Sequence, residues 1–162
     1  MYMKTPCHHS NALPEELNHI GDAAVNPPRL ALPLYVSRIK AGFPSPADDY
    51  VEQTLDLNEY CIRNAPATFF LRVSADGDSM VDLGILPGDL LCVDRSLSPR
   101  SGDIVIAAIN GDFTVKELLL DPYPLLRPHN QEKGYIDILI EEGDELEIFG
   151  VVSSVIRKLQ CR

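Results

Sequence analysis

Positive charge is what this chain most lacks. Its 162 residues carry 14 lysines and arginines against 24 aspartates and glutamates, a formal net charge of −10 at pH 7. The sequence pI is about 4.7. A surface so acidic repels phosphate, which argues against direct nucleic-acid binding and leaves open partners that themselves bind nucleic acid. Cysteine pairing is missing too. Cys7, Cys61, Cys92 and Cys161 form no CxxC pair and no disulfide framework, which points to reduced thiols in a cytoplasmic protein. Cys7 stands beside His8 and His9 in "CHHS", but no further ligands follow at zinc-site spacing, so no metal site or other cofactor is expected. No apolar run approaches the ~20 residues a membrane helix needs. The N-terminal stretch "MYMKTPCHHSNALPEEL" has no apolar segment of the secretory kind. The expectation is a cytoplasmic chain with no membrane association.

Hydrophobic residues make up 45% of the chain, enough for a core in one compact domain. Up to about residue 44 the chain is rich in proline and small residues. Pro14, Pro27, Pro28, Pro33, Pro44 and Pro46 interrupt any long helix, so this part reads as an extended, mobile arm. Within it, "PLYVSRIKAGF" has the β-branched and apolar content to lie down as a strand. At "SPADDYVEQTLDLNEY" the pattern changes. Ser45 suits an N-cap, Pro46 the first helical position, and Asp48 and Asp49 the first turn. One or two short helices ending near Arg63 are expected.

From Thr68 onward the signals are β. "TFFLRVSA" reads as a strand, and "GILPGDLLCVD" as a turn at Pro87-Gly88 followed by a strand. "DIVIAAINGDFTVKELLL" places two β-rich runs around Asn110-Gly111, the dipeptide favoured in a type I′ hairpin. "PLLRPHN" and "YIDILI" read as short strands, and "DELEIFGVVSSVIRKL" as a long final one. Turns spaced ~8–12 residues apart predict a mostly β fold, a small folded-over barrel or sheet.

Two residues hold chemical interest. Lys116 lies on the second arm of the hairpin and shares a strand face with Thr114 and Leu118. Taken alone, it reads as a solvent-facing lysine on an edge strand. Ser79 lies in "DGDSM", at the exit of a strand. Taken alone, it reads as a turn serine bonding its own backbone. Together they suggest more. A serine hydroxyl needs a base before it can attack a carbonyl. No histidine is well placed, since His8, His9 and His19 sit in the arm and His129 has no acid in a recognisable relation to it. A lysine serves if it is neutral. Bringing a lysine from about 10.4 to ~7–8 costs ~4 kcal/mol, which burial in an apolar site can supply. Leu118 is consistent with such burial, whereas the neighbouring Glu117 would favour the charged amine.

"GDSM" at 77–80, "GILPGDLLCVD" at 84–94 and "GDIVIAAINGDFTVKEL" at 102–118 together resemble the UmuD/LexA self-cleaving proteases of the peptidase S24 type. The UmuD branch, the SOS mutagenesis subunits, is the closer match, with "GFPSPADDYVEQTLDLNEY" and "DELEIFGVVSSVIR" also similar. By that resemblance Ser79 is the nucleophile, Lys116 the general base, and Ala41-Gly42 the bond cut. The first 41 residues would be an arm removed by self-cleavage, and residues 42–162 the β-rich Ser/Lys protease-like domain. Ala41 and Gly42 are small enough to enter a site as extended chain, and Pro44 and Pro46 discourage helix around them. On residues alone the pair also reads as a plain flexible linker. The resemblance further implies short N-terminal helices, a homodimer, stimulation by a RecA filament on single-stranded DNA, and a UmuC-like Y-family DNA polymerase subunit as partner. Other readings are a LexA-type repressor, a signal peptidase, and a non-catalytic module that regulates a polymerase. The proline-rich, non-basic arm disfavours the first, and the missing membrane anchor the second.

Overall fold

The computed structural model describes residues 19–23, 25–35 and 51–159. It is almost entirely antiparallel β. Ten strands run in chain order: β1 His19–Asp22, β2 Ala31–Tyr35, β3 Val51–Asp56, β4 Thr68–Arg72, β5 Leu90–Asp94, β6 Ile104–Ile109, β7 Asp112–Leu119, β8 Leu125–Arg127, β9 Ile138–Leu139 and β10 Leu146–Ile156. Eight of them form one sheet in the order β1-β4-β5-β10-β6-β7-β8-β9, and β2 and β3 pair separately.

The expectation of one or two short helices between Ser45 and Arg63 is corrected over residues 51–56. Residues 51–56 are strand β3, and only Leu57–Cys61 form a helix, α1. Ser45, Pro46, Asp48 and Asp49 lie outside the described residues. The helix starts instead at Asp56, whose carboxylate accepts from the Asn58 and Glu59 N–H groups. Asp56 also accepts from the N–H of Leu30, tying the helix start to β2. "VEQTLD" then has a partner that no local rule foretells: Ala31 pairs with Asp56 and Leu32 with Leu55. Two parts of the arm are extended, as expected, and both are held. β1 is zipped onto the edge of β4, and the Ala23 N–H continues that pairing to the Thr68 carbonyl.

The β6–β7 hairpin follows its sequence closely. Asn110 and Gly111 both have positive φ, 51° and 96°, the type I′ pattern that matches the twist of the flanking strands. Ile109 pairs with Asp112, and the register runs back to Ile104 opposite Glu117.

Both faces of the central sheet are covered. Ile106 belongs to a cluster with Phe69, Leu71, Met80, Ile85, Leu91 and Val93. Its strand neighbours Val105 and Ala107 point to the other face and pack with Leu118, Leu126, Ile140 and Val151. The sheet closes over two cores because β10 is long and bent. Its first half pairs with β6 and its second with β5, with register irregularities between Ile148 and Gly150 and between Val152 and Ser154. At the far end Arg157 grips the buried carboxylate of Asp89 through Nε and Nη2, both at 2.6 Å, and donates to the Gly84 carbonyl. This clamp fixes the loop 84–89, which follows the Ser79 turn, to the end of the last strand.

Cys61 and Cys92 are free thiols. Burial, with a smaller contribution from Cys61, pushes Cys92 up to about 11, so it is an inert core residue. No described helix is long and apolar enough to cross a membrane.

Gly150 marks the tightest point of the bend. A Cβ there would stand 2.7 Å from Val93 Cγ1 and 3.1 Å from the Asp94 carbonyl oxygen. Gly150→Ala should therefore lower stability by about 1–3 kcal/mol, the usual cost of overpacking. Urea unfolding of the two proteins checks this, and an unchanged midpoint would contradict the crowding.

Candidate active site

The turn 74–80 leaves β4 and returns the chain to the first core at Met80, which is buried against Leu71 and Ile85. The residue after the serine is thus an anchor. Gly77 is required for the same compactness, since a Cβ there would lie 2.9 Å from both Ser74 Oγ and Val73 Cγ1. Its N–H donates to the Ser74 carbonyl. A short 3-10 turn, Val81–Leu83, follows and ends at Gly84 in the left-handed region. Ser79 stands between these two tight features, partly exposed.

Lys116 arrives from β7. The edge-strand reading of this lysine does not hold: β7 is flanked by β6 and β8, and Lys116 is only 8% exposed. Its cross-strand neighbour is the fully buried Val105, and Leu118 on the same strand face is also fully buried. Glu117 turns to the opposite face, as alternation requires, and takes its charge away from the amine. There its carboxylate lies 2.7 Å from His129 Nε2. With no carboxylate to hold the charge, burial lowers the Lys116 pKa from the ordinary lysine value.

The structure brings the two residues singled out in the sequence together. Lys116 Nζ lies 2.8 Å from Ser79 Oγ. It also lies 2.6 Å from Thr114 Oγ1 and 3.0 Å from the Val115 carbonyl oxygen. These three neighbours match an amine in either state. A charged amine donates to all three. A neutral one keeps its two N–H bonds on Thr114 and Val115 and turns its lone pair to the serine hydroxyl. Ala41 and Gly42 lie outside the described residues, as do Cys7, His8 and His9.

Sequence reasoning missed part of the site. Thr114 was visible as a face-mate of Lys116, and strand alternation was signal enough to name it as a partner. His129 has an acid after all, Glu117, but the two are joined only by the pairing of β7 with β8. The loop 129–135 and its contacts to the Ser79 turn left no sequence signal, because they span about fifty residues of chain.

A mostly β fold that buries a lysine amine against the hydroxyl of a turn serine defines the class of arrangement in which an amine can act on a hydroxyl. Residues 33–153 match the family described as Peptidase S24-like. The chain belongs to that family, among its UmuD-like SOS mutagenesis proteins. It is 53% identical over 126 residues to Protein ImpA of Salmonella typhimurium, covering 78% of this chain and 83% of that one. Protein SamA of Salmonella typhimurium strain LT2 is 51% identical over 132 residues, 82% of this chain and 89% of SamA. The LexA repressor of Sorangium cellulosum is 36% identical over 125 residues, 76% of this chain and 54% of the repressor. The UmuD/LexA resemblance is therefore borne out at the level of family, and with it a peptidase relationship and a role in SOS mutagenesis.

The buried amine makes a prediction with a definite sign. The unfolded chain holds more protons than the folded one between the lowered pKa of Lys116 and the ordinary lysine value. Stability therefore rises with pH across that interval. Lys116→Met keeps the side-chain length without the charge and should remove that rise. Urea unfolding at pH 7 and pH 9.5 should show it in a Ser79→Ala background, where hydroxyl chemistry is absent. Parallel pH responses with and without Lys116 would contradict the burial argument.

Proposed function

We propose that this chain is a self-cleaving serine protease of the SOS response, with Ser79 as nucleophile and Lys116 as general base, acting on its own Ala41-Gly42 bond. The observation that carries this reading is the 2.8 Å approach of a buried, pKa-lowered amine to a serine hydroxyl. Burial is what makes a lysine usable as a base near neutral pH.

Neutral Lys116 accepts the Ser79 hydroxyl proton while Thr114 and the Val115 carbonyl hold its two N–H bonds. The Ser79 oxygen attacks the Ala41 carbonyl. Backbone N–H groups at Ser79 and its neighbours receive the developing oxyanion. In support, neither the Ser79 nor the Met80 N–H donates to a protein group among the described residues. Protonated Lys116 then gives its proton to the leaving amine of Gly42, and the C–N bond breaks. Water, deprotonated by the same amine, hydrolyses the acyl-serine and returns the free enzyme. The scissile bond belongs to the same molecule or to a dimer partner, so the substrate is present at high effective concentration. The rate is set by docking of the extended 41–42 region and by the fraction of Lys116 that is neutral.

Cleavage divides the chain into an arm, residues 1–41, and a domain, residues 42–162. In this reading a RecA filament on single-stranded DNA promotes docking in the cytoplasm, and the arm-free homodimer joins a UmuC-like Y-family polymerase as its accessory subunit. The acidic surface suits a protein that meets DNA damage through other proteins.

Incubation at alkaline pH without any partner should cut the wild type between Ala41 and Gly42, faster as pH rises and more amine is neutral. Ser79→Ala and Lys116→Ala should stay intact. Mass spectrometry identifies the fragments, and equal cleavage in all three proteins would refute the assignment. A chain that stays whole yet binds a Y-family polymerase would instead be a non-catalytic regulatory module.

A further inference from the structure

We propose that Asn130 is a positioning residue for the Ser79 nucleophile, acting at the centre of a strap, residues 129–135, that sets the backbone around the serine; the inference rests on the dyad reading above. Two consecutive residues of the strap hold two consecutive carbonyls of the nucleophile turn. The His129 N–H donates to the Ser79 carbonyl at 2.6 Å. Asn130 Nδ2 donates to the Asp78 carbonyl at 2.9 Å. Asn130 is itself buried, 7% exposed, and its Oδ1 accepts from the Lys133 N–H at 3.1 Å, so its amide orientation is fixed at both ends.

The strap also grips the Asp78 side chain. Tyr135 donates its hydroxyl to Oδ1 at 2.7 Å, and the Lys133 ammonium pairs with Oδ2. One step further on, the Asp82 N–H donates to the His129 carbonyl, and the Gln131 N–H donates to Asp82 Oδ2. At its other end the strap leaves β8, the strand beside β7, and the His129 ring meets Glu117, the residue after Lys116. The strap thus spans from the strand that carries the amine to the turn that carries the hydroxyl.

This pattern bears on the reaction through the geometry of the peptide unit. In a trans peptide the N–H points opposite to the C=O. Turning the Asp78 and Ser79 carbonyls onto the strap turns the Ser79 and Met80 N–H groups away from it. Neither of these two N–H groups has a protein acceptor among the described residues. An oxyanion is stabilised by donors already aimed before charge develops. Asn130 supplies that aim for the Ser79 N–H without itself touching substrate.

The test uses the full chain, with self-cleavage followed from neutral to alkaline pH. Asn130→Ala and Asn130→Asp each remove the donor to Asp78. The expected result is a plateau rate lower by about 10- to 100-fold, as for a small misplacement of an oxyanion donor. The pH midpoint should not move, since Lys116 keeps its surroundings. A purely structural role would act differently, lowering the rate only in proportion to unfolded protein or shifting the midpoint as the Lys116 site loosens. Either result, or an unchanged rate, overturns the inference. Should the Asn130 variants fail to fold, Lys133→Ala/Tyr135→Phe decides. It removes only exposed groups that hold Asp78, and should slow the plateau about 2- to 10-fold with an unchanged melting temperature. An unchanged rate there overturns the proposal. A wild type that stays whole at alkaline pH overturns the dyad reading and this inference with it. Cleavage that is equal in wild type and strap variants overturns only the role of Asn130.

Discussion

The structure depends on keeping one amine out of water. A lysine ammonium is strongly hydrated, and a sheet that buries it must hold together despite the loss. Lys116 is kept there by its place on β7, an interior strand with fully buried Val105 and Leu118 around it. Thr114 and the Val115 carbonyl satisfy its hydrogen bonds without neutralising its charge. A carboxylate in their place would have held the charge and removed the basicity. Glu117 is the nearest carboxylate in sequence, and the alternation of the strand sends it to the other face.

The serine is held by complementary means. Met80 drives the chain into the core directly after it, and Gly77 lets the turn close tightly before it. The Asp89–Arg157 clamp ties the following loop to the end of β10. Ser79 is left partly exposed in this tight turn, its hydroxyl 2.8 Å from the buried amine. The proposed self-cleavage would use that combination: a held pair of reacting groups, and an open side through which an extended segment can enter.

Much of the fold was legible locally. Asn110-Gly111 specifies a hairpin because both positions need positive φ, and the structure has both. The Pro87-Gly88 turn, the strands β4 to β8 and the long β10 follow from turn chemistry and β-rich composition. Residues 51–56, expected to be helical, are a strand for an equally physical reason. They have a strand partner in 31–35, and pairing overrides a weak local preference.

The amino-acid sequence alone sufficed for the class of chemistry. It holds a serine in an acidic turn, a lysine on a hairpin arm, and spaced motifs shared with a family of self-cleaving proteins. Those are local patterns, and local patterns survive in one dimension. Which face of β7 is buried was decided only in the folded molecule, since each face of "FTVKELL" mixes apolar and polar residues. So were the meeting of Ser79 with Lys116, the pairing of His129 with Glu117, and the strap on Asp78. These contacts join residues that only the order of strands in the sheet makes neighbours, and strand order arises from burying both faces at once.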